Sequence, residues 1–300
     1  MAIESSVLRD SRCCYILAAL KLRGNDALSL HLPSLGIFAW IGLEVPFPDR
    51  VKMIRGAGFA VTSVWWDEDN ETRRRLRHLC PELVRHAGLI LDNIHVPYRG
   101  CNELWSPVAD ERRSAVARHV TWLEHCGRPN IPAMVMHATT GADLPTDVAH
   151  GVDSFRRIVD VAEGLGVRVA LENSRSAAHL YALFRAIDSP FLALCYDSAH
   201  DWLCSPTPLQ LLNMLGGRLK ATHFSDTDGV RDQHRLPGEG VIDFDAIGRA
   251  HNWAAYTGSL MLEVIAADKS EPPESYLARA FASAEWLRGQ LLGVKSTADD

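Results

Sequence analysis

Six of the side chains in this sequence that can bind a metal or move a proton stand where apolar, β-rich runs stop: His95, His137, Glu172, Asp197, His223 and Glu263. Three more, His200, Asp232 and His234, follow closely behind the runs that end at Asp197 and His223. A hydrophobic strand has no use for a terminal imidazole or carboxylate unless something beyond its end must be held. Taken singly, a histidine there is ordinarily hydrogen-bonded structure, and an aspartate or glutamate a helix cap or a solvated group. Gathered together, four carboxylates would repel and pay desolvation unless a cation neutralised them. The expected chemistry is therefore that of a divalent metal site. The donors are all nitrogen and oxygen with no thiolate, which suits Zn, Mn, Fe, Co or Mg without choosing among them. Nine ligands exceed what one ion needs, so two or three ions are expected.

The elements that must position these groups alternate regularly. Strands are predicted at GIFAWIG, AVTSVWW, LILDNIHV, IPAMVMH, VRVALEN, FLALCYD, LKATHFS and SLMLEV. Between and after them lie helical stretches at 47–56, from Asn70 with a kink or split at Pro81, from Ser106-Pro107 to Gly127, at 146–163, 177–187, 208–215, 244–256 and 273–291. Alternation of this kind implies parallel strands joined by crossover helices. Eight units in one chain of this length predict an α/β fold, a single-domain (β/α)8 TIM barrel, for which about 250 residues is typical. An open doubly wound sheet would offer a Gly-rich phosphate loop after its first strand, and GIFAWIGLEVPFP is not one. The expected division is an N-terminal extension at 1–33, the barrel at 34–292 and a short tail at 293–300. In a barrel the active site lies at the C-terminal strand ends, where the polar residues stand.

The chain has 300 residues, 47% of them hydrophobic, and a net charge of −6. That charge leaves no electrostatic footprint demanding nucleic acid or an anionic membrane. Seven scattered cysteines without a CxxC pair indicate neither a zinc finger nor a disulfide framework, and point to a reducing cytoplasm. No apolar run reaches the ~18 residues that cross a bilayer. Arg9 and Arg12 before CYILAAL imitate a secretory signal, but the apolar part is short and Lys21 and Arg23 close it.

The strand-end quartet, the HVPY at His95–Tyr98, the D-x-x-H of Asp197 and His200 and the D-x-H of Asp232 and His234 before PGEG together resemble the xylose-isomerase-like TIM-barrel superfamily. It joins sugar isomerases and epimerases to the endonuclease IV family, and the resemblance runs from about Leu35 to Leu291. It implies one ion held by Glu172, Asp197, His223 and Glu263, with Glu172 and Glu263 as the acid–base pair. From the endonuclease IV side it implies three zinc ions: one at His95, His137 and a bridging Glu172, one at the quartet, and one at His200, Asp232 and His234. Tyr98 matches a tyrosine that touches DNA there, and a homodimer is common in the superfamily.

Two chemistries follow. In a sugar isomerase or epimerase, a metal chelates neighbouring oxygens while one glutamate removes a proton beside the carbonyl and the other returns one; dehydration is a variant of the same enolisation. Trp65 and Trp66 end the second strand at the expected mouth, where a tryptophan can stack on a sugar ring; with Tyr98 and His200 they are the expected substrate contacts. In a phosphodiesterase acting at abasic DNA, the mouth must instead grip a polyanion. The loop after the second strand carries Asp67, Glu68, Asp69 and Glu71, and Glu44 follows the first strand. The cluster Arg73, Arg74, Arg75 and Arg77 falls on a helix, where a solvated face is the simpler reading. The expected partner is accordingly a small sugar-like molecule rather than nucleic acid or membrane.

Overall fold

The computed structural model of the protein describes residues 32–66 and 75–293. The extension up to residue 31, Cys13 and Cys14 within it, the acidic loop and Arg73 and Arg74 at 67–74, the expected helix start at Asn70, and the tail from 294 lie outside the described residues.

Eight parallel strands form the sheet: β1 (Leu35–Phe38), β2 (Val61–Trp65), β3 (Ile90–His95), β4 (Ala133–His137), β5 (Arg168–Glu172), β6 (Leu192–Asp197), β7 (Leu219–His223) and β8 (Leu260–Leu262). Each pairs with its sequence neighbour from β1 to β7, and β8 returns to β1. The remaining seam is drawn together by a bridge between Phe224 and Leu262, with the Phe224 N–H donating to Met261 O at 2.8 Å and the Glu263 N–H to Phe224 O at 3.0 Å. Thr222 extends the seam with its side chain: its hydroxyl oxygen accepts from the Met261 N–H at 2.9 Å and donates to Ser259 O at 3.0 Å. The fold is a TIM barrel, as its alternation predicts.

Period-2 alternation divides each strand between two environments. Outward residues such as Met134, Met136, Val169, Leu171, Leu192 and Leu194 join the main core under the helices. Inward residues form a separate small cluster of Val135, Ala170, Ala193, Cys195 and Ala221. A narrow barrel interior takes only such small side chains at this level. Two residues further along the same inward faces come His137, Glu172, Asp197 and His223, so the strand period itself raises the polar groups to the mouth. The opposite end is plugged by Lys220 of β7 and Asp92 of β3, whose side chains meet at 3.4 Å across the barrel, beside register shifts in both strands.

The helices are α1 (Phe47–Gly56), α2 (Cys80–His86), α3 (Ala109–Gly127), α4 (Val148–Leu165), α5 (Ala177–Ala186), α6 (Ser198–Cys204), α7 (Gln210–Leu215), α8 (Phe244–Ala250) and α9 (Pro273–Leu291). Three of them bear on the sequence-based expectation. The stretch expected to kink or split at Pro81 is split: a 3-10 turn at Arg77–Leu79 leads into α2, with Pro81 in its first turn, where N–H groups lack intrahelical acceptors and a proline loses nothing. Helix α3 starts at Ala109, since the Ser106 hydroxyl is used in a local turn, accepting from the Val108 N–H at 3.0 Å, and does not cap the helix. Helix α6 follows β6 without a loop, Asp197 serving as its N-cap by accepting from the His200 N–H at 2.7 Å. Helix α4 closes on the 3-10 turn at Cys101–Trp105 through Gly151, where any Cβ would fall 1.8 Å from the Trp105 ring. Among the described residues no helix is long and apolar enough to cross a membrane, and the described cysteines are free thiols.

One buried histidine sets an acid limit on stability. His119 in α3 is 1% exposed; its Nδ1–H donates to Ala115 O at 2.8 Å and its Nε2 has no partner. Burial pushes its pKa down to about 4. The folded state therefore holds this ring neutral where the unfolded chain would protonate it. The associated stability is complete above the unfolded value near 6.5 and is lost as pH falls toward 4. Denaturant unfolding of wild type and His119→Phe at pH 7 and pH 5 is expected to show a fall larger by about 2 kcal/mol in wild type. Equal falls in the two proteins would show that His119 does not contribute.

Candidate active site

Glu172, at the end of β5, is the hub of the mouth and is 1% exposed. Its Oε2 lies 2.8 Å from His95 Nε2, 3.3 Å from His137 Nε2 and 3.3 Å from His223 Nδ1, while its Oε1 lies 3.0 Å from His200 Nδ1. Glu263, just past β8, meets the same His223 nitrogen at 2.9 Å. The strands hold these groups rigidly. The amide of Asn173 is shared with the Asp197 backbone, accepting from its N–H at 2.7 Å and donating to its C=O at 2.8 Å, so the ends of β5 and β6 are tied together. The Ser174 hydroxyl donates to Thr139 O at 2.9 Å and ties the same turn to β4.

Three observations test this donor set against a divalent cation. First, His95 donates its Nδ1–H to Val96 O at 2.9 Å, which leaves the Nε2 lone pair aimed at a carboxylate oxygen 2.8 Å away. Two lone pairs do not hold that separation without a proton or a cation between them, and an imidazole with its far nitrogen fixed to a carbonyl is how metal-binding histidines are oriented. Second, Asp197 Oδ2, His137 Nδ1 and His223 Nε2 are buried without hydrogen-bond partners. Third, the ligand atoms of Glu172, Asp197, His223 and Glu263 all lie within 4.8 Å of one another, as do those of His95, His137 and Glu172. The residues fit a divalent ion.

The charges are strongly interdependent. Burial pushes the Asp197 carboxyl up to about 7. Burial also works against ionisation of Glu263, but His223 beside it brings its pKa down to about 2. Glu172 is likewise carried well below the carboxylate range by His137 and His223 against the cost of burial. Conversely His223 and His200 are lifted well above the usual imidazole value although burial opposes it, chiefly by the neighbouring Cys195 and Glu263 for the first and by Asp197 for the second. Carboxylates that draw protons onto neighbouring rings this strongly would draw a divalent cation in their place.

Residues 51–290 match the family described as xylose isomerase-like TIM barrel. The chain belongs to that family. It is 29% identical over 288 residues to the uncharacterized protein y4fM of Sinorhizobium fredii (strain NBRC 101917 / NGR234), covering 83% of this chain and 90% of that protein. Over 152 residues it is 24% identical to the fructoselysine 3-epimerase of Escherichia coli O157:H7, a match spanning 46% of this chain and about half, 54%, of the epimerase. Its fold is similar to the crystal structure of D-psicose 3-epimerase from Clostridium cellulolyticum H10, with a TM-score of 0.67 at 19% identity over 86% of this chain and 99% of the other.

Within this xylose isomerase-like barrel, a cavity of about 520 Å³ opens over Glu172, His95, His137, His200, Asp232, His234 and Glu263. Trp65 and Tyr98 line it, the indole tilted over His95 with ring centroids 4.9 Å apart and the phenol stacked on His137 at 5.1 Å and 15°. Trp66 does not line it. Consecutive strand residues face opposite ways, so Trp66 turns into the helix layer, 2% exposed, with its Nε1–H donating to His125 Nδ1 at 3.1 Å. The expectation that both tryptophans stand at the mouth is therefore corrected to Trp65 alone.

The third cluster implied by the resemblance is looser than the other two. Asp232 Oδ2 lies 3.1 Å from His200 Nε2 and 3.6 Å from His234 Nε2, but the three residues do not form a group closed within 4.8 Å among the described residues, and the other nitrogen of His200 is turned to Glu172. The premise of a donor set without sulfur also changes. Cys195, two residues before Asp197 on the same inward face, forms a further close group with Glu172 and His223. Its spacing from Asp197 was the available signal.

Asp226 carries no sign of its role in the sequence. Its carboxylate, fully buried, accepts four backbone N–H groups, from Thr227, Gly238, Gly240 and Ile242 at 2.8 to 3.1 Å. It thereby folds back the loop that carries Asp232 and His234. Gly240 must be glycine there, since a Cβ would fall 2.2 Å from Thr227 O and 2.3 Å from the Asp226 carboxylate. PGEG is thus explained by close backbone approach.

Proposed function

We propose that this chain is a divalent-metal-dependent isomerase or epimerase of a sugar or related polyhydroxy carbonyl compound, acting by proton transfer through an enediolate. The observation that carries the reading is the quartet of Glu172, Asp197, His223 and Glu263, closed within 4.8 Å and opening, through Glu172 and Glu263, on a cavity of about 520 Å³ with room for a small molecule. These four would hold one ion, and His95 and His137 with Glu172 a second. When bound, a divalent ion neutralises the negative charge that grows on the substrate oxygens as the neighbouring proton leaves.

The chain's own residues supply the rest. Glu172 and Glu263 both touch His223 Nδ1 yet come from β5 and from beyond β8, so they approach a substrate from different sides of the barrel. One carboxylate takes the proton beside the carbonyl and the other returns it, to the neighbouring carbon in an isomerase or to the opposite face in an epimerase. His200 lines the cavity with both ring nitrogens turned to carboxylates, Nδ1 to Glu172 and Nε2 to Asp232, and so links Glu172 to the loop after β7. Trp65 and Tyr98 form an aromatic wall on which the apolar face of a sugar packs. The epimerases among its relatives support the same reading.

A phosphodiesterase of the endonuclease IV type is the second reading, favoured by His95 and His137, which close on Glu172 from outside the quartet. The two are separated by incubating the purified chain with added Mn²⁺ or Zn²⁺ in D₂O with a panel of ketoses, and in parallel with an abasic DNA duplex. The expected result is solvent deuterium at a sugar carbon beside the carbonyl. Strand nicking without any deuterium incorporation would replace the isomerase reading by the hydrolase.

A further inference from the structure

The cavity is acidic at its inner end and basic at its rim. Arg175 and Arg231 line the same space as Glu172, from the turn after β5 and from the loop after β7. Their situations differ. The Arg231 guanidinium is already matched by Asp228, with Nη2 donating to Oδ2 at 3.2 Å. Arg175 is exposed, and among the described residues it makes no ion pair or hydrogen bond. Its backbone is nevertheless fixed, because Asn173 and Ser174 immediately before it are tied to Asp197 and Thr139. A guanidinium anchored at its base and unmatched at its tip, at the rim of a cavity, has its planar fork of donors available to a ligand.

We infer that Arg175 receives an anionic group of the substrate, a carboxylate or a phosphate, at the end remote from the carbonyl. This rests on the isomerase or epimerase reading and narrows its substrate class to acidic sugars. The placement follows from the cavity: Arg175 is exposed at the rim and Glu172 is buried at the inner end, so a group paired with the guanidinium lies outward of Glu172. Bidentate pairing of a guanidinium with such a group also fixes orientation, which would present the opposite end of the molecule to the two glutamates.

The test measures binding apart from turnover. Inorganic phosphate, glycerate and glycerol are titrated calorimetrically into the metal-supplemented protein and into Arg175→Met and Arg175→Lys. Expected is binding of at least one of the two anions but not of glycerol, weakened roughly 10- to 100-fold in Arg175→Met and partly kept in Arg175→Lys. Phosphate alone would assign a phosphorylated substrate, glycerate alone a carboxylated one. Anion binding of equal strength in wild type and Arg175→Met, or no anion binding, overturns the inference. Deuterium exchange on neutral ketoses is then the separate measure of whether the isomerase reading itself survives.

Discussion

Glu172→Gln is expected to lower turnover by roughly 10⁴-fold or more while the barrel stays folded. One carboxylate oxygen of Glu172 touches three imidazoles and the other touches a fourth. The same residue belongs to every closely gathered ligand group among the described residues. The amide keeps the shape of the side chain but removes its charge and replaces one acceptor with a donor aimed at imidazole nitrogens. Bound metal should fall with activity, from more than one first-row ion per chain to one or none. Elemental analysis of the purified variant beside a thermal melt checks this. A variant that retains its full metal content and rate would remove Glu172 from the centre of the mechanism.

Asp226→Ala is expected to cost about 2 kcal/mol or more of stability, or to release the loop from Thr227 to Ile242 with loss of activity. Four backbone N–H groups converge on this carboxylate, those of Thr227 and Ile242 buried and those of Gly238 and Gly240 nearer solvent, and each buried donor left unmatched costs about 1–3 kcal/mol. Asp226→Asn keeps one acceptor oxygen and is expected to lie between alanine and wild type. The distinguishing measurement is amide hydrogen exchange over residues 227–242: a positioning role predicts faster exchange there in Asp226→Asn, with the barrel strands unchanged. Because Asp232 and His234 ride on this loop, KM should rise with the exchange rate. Unchanged protection in both variants would show that other contacts hold the loop.

The contrast between Asp226 and the quartet marks how far one-dimensional pattern reaches. Glu172, Asp197, His223 and Glu263 were legible because a barrel turns position along the chain into position in space: the end of every strand is the same mouth. Asp226 also follows a strand closely, yet its role depends on a chain reversal that brings Gly238, Gly240 and Ile242 back to it. No local period encodes that return. Trp65 and Trp66 illustrate the same limit at one residue's resolution. Both close a β-rich run, but alternation sends one to the cavity and its neighbour to the helix layer, and the choice depends on register with β3.

By itself the sequence determined the architecture and the chemical character of the mouth, since strand–helix alternation is a local property, eight units suit a closed barrel, and the first strand lacks the Gly-rich loop of an open sheet. Tertiary structure alone decided which donors share an oxygen: that Glu172 gathers four imidazoles, that Cys195 stands within reach, and that His200, Asp232 and His234 stay looser than the other groups. Those outcomes depend on separations of a few tenths of an ångström between side chains far apart in the chain. Such separations are set by barrel packing and loop closure, on which the order of residues along a strand is silent.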